Sequence, residues 1–362
     1  MLSTSLLPVL ALIGGVLAAP APIPSGGVGV RSNDTPPVYH TMSEFDYQSL
    51  SLGLYQEWIE LDLFNYGVER FSAEEFAAAG LGADDVSLIQ FMANQEVGHA
   101  TLLSNIVSAY GRPAALQCKY HYDFETVRDF VNFCQRLTRW GESGVYGFLP
   151  HLDSRPSAQL LLQSITTEAR QQMIFRQFSG AFPMPVYFET GISQSMGWSL
   201  LSRYISSCPA NNTRIEWPIF PWLSVTNEPS LLVDGYLANI THNRTSLSEP
   251  GRTVTFAYDA PGKSTGPDNS YNTSVGGLVN STVPKFAAWI SQLNVTYTPL
   301  TITGNGTAST IQPGGYVFNN TNDGIVNGTM FIGLTDTDLY VTPYNLSLIN
   351  DHILAFGLYQ AD

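Results

Sequence analysis

Glu96 and His99 stand three residues apart in Gln95-Glu96-Val97-Gly98-His99, inside a long segment whose apolar residues recur at helical spacing. On a helix that spacing stacks a carboxylate and an imidazole one turn apart on one face, where both reach a single cation. Three other long helical segments each carry a glutamate within their body, Glu57, Glu142 and Glu168. Four such carboxylates with Glu-x-x-His are the donor layout of a carboxylate-bridged two-metal site in a four-helix bundle. The spacing recurs at Glu168, but Gln171 stands where a second histidine would be. A neutral amide oxygen is a weaker donor than imidazole toward transition metals, so the site should be strongest near Glu96 and His99. The competing reading is that these glutamates are merely solvated and that His99 is a hydrogen-bonded core residue.

Each donor needs a helix to hold it. Ser43-Glu44-Phe45-Asp46 has the form of an N-terminal cap, and helical periodicity follows to about Arg70. Leu54, Glu57, Leu61, Phe64 and Val68 share one stripe there, with Glu60 nearer its edge as the second choice. Asp84 or Asp85 opens a second helix, which Gly111 and Pro113 stop after Tyr110. A third is expected from near Asp123 to near Leu152. It carries Glu142 among small residues that allow close helix approach, in a stretch without other charge. A buried lone carboxylate costs several kcal/mol unless a cation or hydrogen-bond donors compensate it. The fourth helix is expected from about Pro156 to Gly180, and a shorter fifth from about Ile192 to Ser206.

After Trp217-Pro218-Ile219-Phe220-Pro221 the texture changes to short runs at 253–258, 295–297 and 339–341, separated by Gly, Pro, Asn and Asp. That pattern reads as an antiparallel all-β domain of sandwich type. No Ser, His and Asp set and no metal-spaced cluster stands out within it. The expected fold class is therefore α+β and multidomain: a four-helix bundle with a fifth short helix over residues 40–210, then a glycosylated β-rich domain over 211–362.

Composition bounds the partners. Charged residues are 13% of the chain and the net charge is −14, which argues against nucleic acid or an anionic membrane surface. Residues 1–18 read as a secretory signal peptide, uncharged and apolar from Leu6 to Leu17, and residues 19–39 as a flexible Pro, Gly and Ser-rich segment. No membrane span is expected in the mature chain. Asn-x-Ser/Thr acceptors occur at Asn33, Asn211, Asn239, Asn243, Asn272, Asn280, Asn294, Asn305, Asn319, Asn327 and Asn345, with none between His40 and Pro209. That clustering predicts N-linked glycans on the C-terminal part and a secreted, extracellular or cell-wall location. Of three cysteines, Cys118 in a loop and Cys208 at the end of the last helical segment are the preferred disulfide pair, with Cys134 a buried thiol.

At the four helices together the sequence resembles the secreted ferritin-like proteins of fungi of stress-response type, akin to plant desiccation-related proteins. Residues 54–64, 94–100, 141–149 and 165–177 carry the likeness, which spans about residues 40–209. It implies Glu57, Glu96, His99, Glu142 and Glu168 as five of six metal ligands, with Gln171 replacing the sixth, and iron or manganese as one or two bound ions. It implies a secreted, stress-associated glycoprotein with a degenerate metal site, meeting cell-wall or extracellular components. The alternative is an extracellular iron- or manganese-dependent oxidase or peroxide-handling enzyme. Mineral storage in a shell is not expected, because a large glycosylated β domain on each bundle obstructs cage assembly.

Overall fold

The computed structural model describes residues 42–230, 237–241, 244, 246–281, 283–319 and 321–361. The expected leader, the segment 19–39 and the acceptors Asn33 and Asn243 lie outside them. Six α-helices are described: α1 (Glu44–Arg70), α2 (Ala73–Ala78), α3 (Ala83–Ala109), α4 (Val127–Phe148), α5 (Arg155–Phe178) and α6 (Gln194–Leu201). Helix α1 begins at the expected cap, where the Ser43 hydroxyl accepts from the Asp46 N–H at 3.1 Å. Helix α2 was not foreseen, although Ser72 and Glu75 form a reciprocal capping box whose Ser-x-x-Glu spacing is legible in the sequence. Helix α4 starts at Val127 rather than near Asp123, because Thr126 and Asp129 make its capping box. Phe124 is then left to pack in extended chain against Phe71, Tyr122, Phe130 and Phe133.

Helix α1 lies along α3 and α4 along α5, and the α1 and α4 pairs face each other. Close approach needs small residues at the crossings. A Cβ on Gly67 would enter the Phe130 ring, and one on Gly141 would meet the Gln56 amide at 2.7 Å. These two glycines therefore set how near α1 and α4 come, and the second leaves room for a side chain that braces the site described below.

Among the described residues the β part comprises two four-stranded antiparallel sheets and the short pair β5 (Ser264–Thr265) and β6 (Tyr271–Asn272). One has β3 (Leu223–Val225), β4 (Thr253–Tyr258), β10 (Thr307–Ile311) and β9 (Thr301–Gly304) side by side. The other runs β12 (Ile353–Gln360), β11 (Thr329–Thr335), β7 (Phe286–Ser291) and β8 (Asn294–Pro299). In the second sheet Trp289, Met330, Ile332, Leu334 and Tyr359 face the first sheet, in a core that includes Val254 and Phe256. The alternate residues Ile290, Phe331, Phe356 and Leu358 join the core of the helices instead. Bundle, inner sheet and outer sheet are thus stacked as three layers, and every residue of β11 and β12 is buried. Residues Met42–Asp362 accordingly cluster as one compact unit. The expected strand at 339–341 is not formed. Tyr340 is 80% exposed, and the Leu339 carbonyl is taken by the Tyr297 hydroxyl rather than by a neighbouring strand.

Polar contacts close the seam between helices and sheet. Gln135 donates to the Thr329 hydroxyl at 2.6 Å, Arg139 Nε to the Thr329 carbonyl at 3.1 Å, and Gln360 to Gln135 at 3.1 Å. Among the acceptors, Asn211, Asn239, Asn272, Asn280, Asn294, Asn305 and Asn319 are exposed, and Asn345 is half-buried. Asn327 is half-buried as well and donates its amide to the Pro185 carbonyl. Among the described residues no helix is long and apolar enough to cross a membrane.

Cys118 and Cys208 are bonded, and Cys134 is a buried thiol. The bridge closes a separation of 90 residues and flanks the pairing of β1 (Lys119–Tyr120) with β2 (Ile205–Ser207). Replacing both cysteines by serine should cost about 2–5 kcal/mol of stability. Urea unfolding followed by circular dichroism reads this directly, and an unchanged midpoint would show that the bridge is dispensable.

Candidate metal centre

Three helices bring their acidic side chains to one nitrogen. His99 Nδ1 lies 2.9 Å from Glu96 Oε2, 3.4 Å from Glu57 Oε2 and 3.6 Å from Glu168 Oε1. Glu57 comes from α1, Glu96 and His99 from α3, and Glu168 from α5, and the three carboxylates are buried. Their ligand atoms and that of His99 all fall within 4.8 Å of one another. Glu60, one turn from Glu57, is buried beside them with one oxygen held by Gln56 at 3.0 Å. Gln56 is in turn fixed by the Trp140 indole N–H at 3.2 Å.

The ring of His99 is oriented by Thr167. The Thr167 hydroxyl gives its one proton to the Ser164 carbonyl at 2.7 Å, so toward His99 Nε2, at 3.0 Å, it can only accept. Nε2 therefore carries a hydrogen. In the neutral ring Nδ1 is then a lone pair aimed at three carboxylate oxygens, a repulsive arrangement. A proton, on Nδ1 or on a facing carboxyl, or a cation at Nδ1 resolves it.

The electrostatics carry the same message. Burial, and then the charge of Glu96, raises the Glu57 carboxyl well above the usual range. Burial first, then neighbouring carboxylates, does the same to Glu60 and Glu168. For His99 burial lowers the pKa, but the hydrogen bond and charge of Glu96, with Glu168 and Glu60, outweigh it and push the imidazole up to about 9. Glu57 Oε2, Glu60 Oε2, Glu168 Oε1 and Gln171 Oε1 are buried and accept no hydrogen bond. Unmatched acceptors beside an aimed imidazole lone pair are the donor set a divalent cation requires, so the residues present fit a metal.

The other two expected ligands are placed differently. Gln171 turns its amide N–H to Glu96 Oε1 and, at 3.3 Å, to Gln95 Oε1. It neutralises part of the charge of Glu96 where a second imidazole would have bound. Glu142 is buried but outside the group: Arg139 Nη1 meets it at 3.3 Å and also pairs with Glu189. Burial raises the Glu142 carboxyl to about 7 against the opposing pull of Arg139. Burial, and then the charges of Glu142 and Glu168, raise the Tyr146 phenol above its usual range. Sequence reasoning ranked Glu60 below Glu57 and passed over Arg139 and Thr167. The three-residue spacings of Glu57 with Glu60 and of Arg139 with Glu142 were available signals, whereas nothing local marks Thr167.

A ferritin-like domain family model matches residues 45–181. Protein rds1 of Schizosaccharomyces pombe is 50% identical over 346 residues, covering 92% of this chain and 84% of that protein. The likeness runs on from the helices through the sheets.

Glu57, Glu60 and Glu168 in the metal-free fold bind protons that the unfolded chain, with carboxyls near 4.5, releases. His99, raised from 6.5 to about 9, has the same sign. The chelated protein should therefore lose thermal stability as pH rises from about 5 to 9. Added manganese should restore stability most at the alkaline end, because it displaces those protons. Melting curves across pH, with and without the ion, test this; a chelated protein that grows more stable with rising pH would contradict it.

Proposed function

The chain belongs to the ferritin-like proteins, in the family of fission-yeast protein rds1, and on that premise we propose that it is a secreted, stress-associated glycoprotein with an asymmetric one-metal centre. The observation that carries the reading is His99 Nδ1 facing three buried carboxylates from three helices. His99, Glu57, Glu96 and Glu168 would hold the ion, with Glu60 in reserve. Iron or manganese bound there would supply one-electron redox chemistry. The chain's own part is to orient His99 through Thr167, to keep Glu60 in place through Gln56, and to withhold the second position by pairing Gln171 with Glu96 and Glu142 with Arg139.

Secretion is supported by the disulfide, which persists in oxidising compartments, and by seven exposed acceptor asparagines on the C-terminal part. Cell-wall or extracellular components are the expected surroundings. Mapping of N-linked glycans and of the mature N-terminus by mass spectrometry checks this half of the proposal. An extracellular oxidase or peroxide-handling enzyme is the second reading. It is favoured by the 11% exposure of the His99 side chain, which gives the centre a route to solvent.

The secreted protein, loaded with manganese or iron and dialysed, should retain about one equivalent by elemental mass spectrometry. The Glu96→Ala, His99→Ala double variant should retain almost none. Thr167→Val should keep the fold and weaken affinity about 10- to 100-fold by freeing the ring. A wild-type protein that keeps less than about a tenth of an equivalent would sink the metal reading, and peroxide or oxygen consumption lost with His99 would favour the enzyme.

A further inference from the structure

A cavity of about 520 Å³ opens where the turn after α6 meets the strand ends of the β part, on residues the metal centre does not use. That volume lies within the range of small-ligand sites. Its wall includes Arg203, whose guanidinium lies 3.6 Å above the Trp222 ring and 5.4 Å from the Tyr204 ring. Both rings are themselves fixed. The Trp222 indole N–H donates to the Ser224 hydroxyl at 2.7 Å, and Tyr204 stacks on Trp140 with centroids 5.6 Å apart. Arg203 itself is half-buried in the wall, and its Nη1 is closed to solvent without a hydrogen-bond partner. In a chain with 16 basic against 30 acidic residues, a guanidinium held on aromatic faces with a donor unused is a preset fork. Its planar N–H groups match a carboxylate or a phosphate.

The rest of the wall is compatible with that anion. Asp259 pairs with Lys263 at 3.0 Å, and Asp123 and His121, also in the wall, are exposed. Thr265 and Asn269 line the cavity and offer a hydroxyl and an amide, the groups that recognise a hydroxylated body. The frame is stiff, because Arg203 leads into β2, which pairs with β1 beside the Cys118–Cys208 bridge.

We propose that this cavity binds a small sugar bearing an oxyanion, with Arg203 as the fork that grips the carboxylate or phosphate. Calorimetric titration of the full secreted chain with D-glucuronate, D-glucose 6-phosphate and D-glucose tests it. One or both acidic sugars should saturate a single site that glucose does not, and which of them binds identifies the source of the charge. Arg203→Lys keeps the charge without the fork and should weaken binding about tenfold or more, while Arg203→Met should abolish it. Should Arg203→Met fail to fold, Lys263→Ala serves instead. That side chain is 65% exposed, and its loss bares Asp259 toward the ligand and should weaken both acids. Binding of neither acid, equal binding of all three sugars, or acid binding unchanged in a folded Arg203→Met or Lys263→Ala variant would overturn the proposal.

Discussion

Uncompensated carboxylates are the constraint around which the helical part is arranged. Glu57, Glu60, Glu96, Glu142 and Glu168 are each at most 2% exposed, and burying one ionised carboxylate without partners costs several kcal/mol. The chain meets this cost differently at each position. Glu96 receives one N–H from Gln171 and a contact from His99, Glu60 receives the Gln56 amide, and Glu142 receives Arg139. Glu57 and Glu168 are left with oxygens that no donor reaches. The remaining charge is concentrated on one side of His99, which is why the centre reads as one-metal rather than symmetric.

The inner sheet gives the bundle its second boundary. A free-standing four-helix bundle exposes the outer faces of all its helices, whereas here α4 turns Gln135 and Arg139 outward onto Thr329. A sheet apolar on both faces then serves two cores at once. Gly357 shows how tight the layering is, since a Cβ there would overlap the Leu223 carbonyl of the outer sheet.

Much of this was legible in the residues. The four long helices, the Ser43 cap of the first, the Cys118–Cys208 pair and the change to strands near Pro221 follow from periodicity and punctuation. The gathering of Glu57, Glu96, His99 and Glu168 follows from helix phase. Other features were hidden because local pattern does not encode tertiary neighbours. Glu142 has the phase of a ligand, yet its own-helix neighbour Arg139 claims it. Leu339-Tyr340-Val341 has strand propensity, yet no partner strand meets it. The double-sided burial of β11 and β12 did leave a trace. Met330-Phe331-Ile332-Gly333-Leu334 and Ile353-Leu354-Ala355-Phe356 are continuous apolar runs rather than alternating ones, the mark of a strand covered on both faces.

Arg139 joins the two parts of the molecule through a single group. Its guanidinium neutralises Glu142 inside the helices while its Nε holds the Thr329 carbonyl at the edge of the inner sheet. Peeling the sheet from the bundle would expose Phe331 and Phe356 and leave the Thr329 carbonyl without its donor. It would also loosen the cation that makes buried Glu142 tolerable. Neither part can detach at low cost, so helices and sheets should share one cooperative transition, with residues 42–361 unfolding as a single thermodynamic unit rather than as two beads on a string.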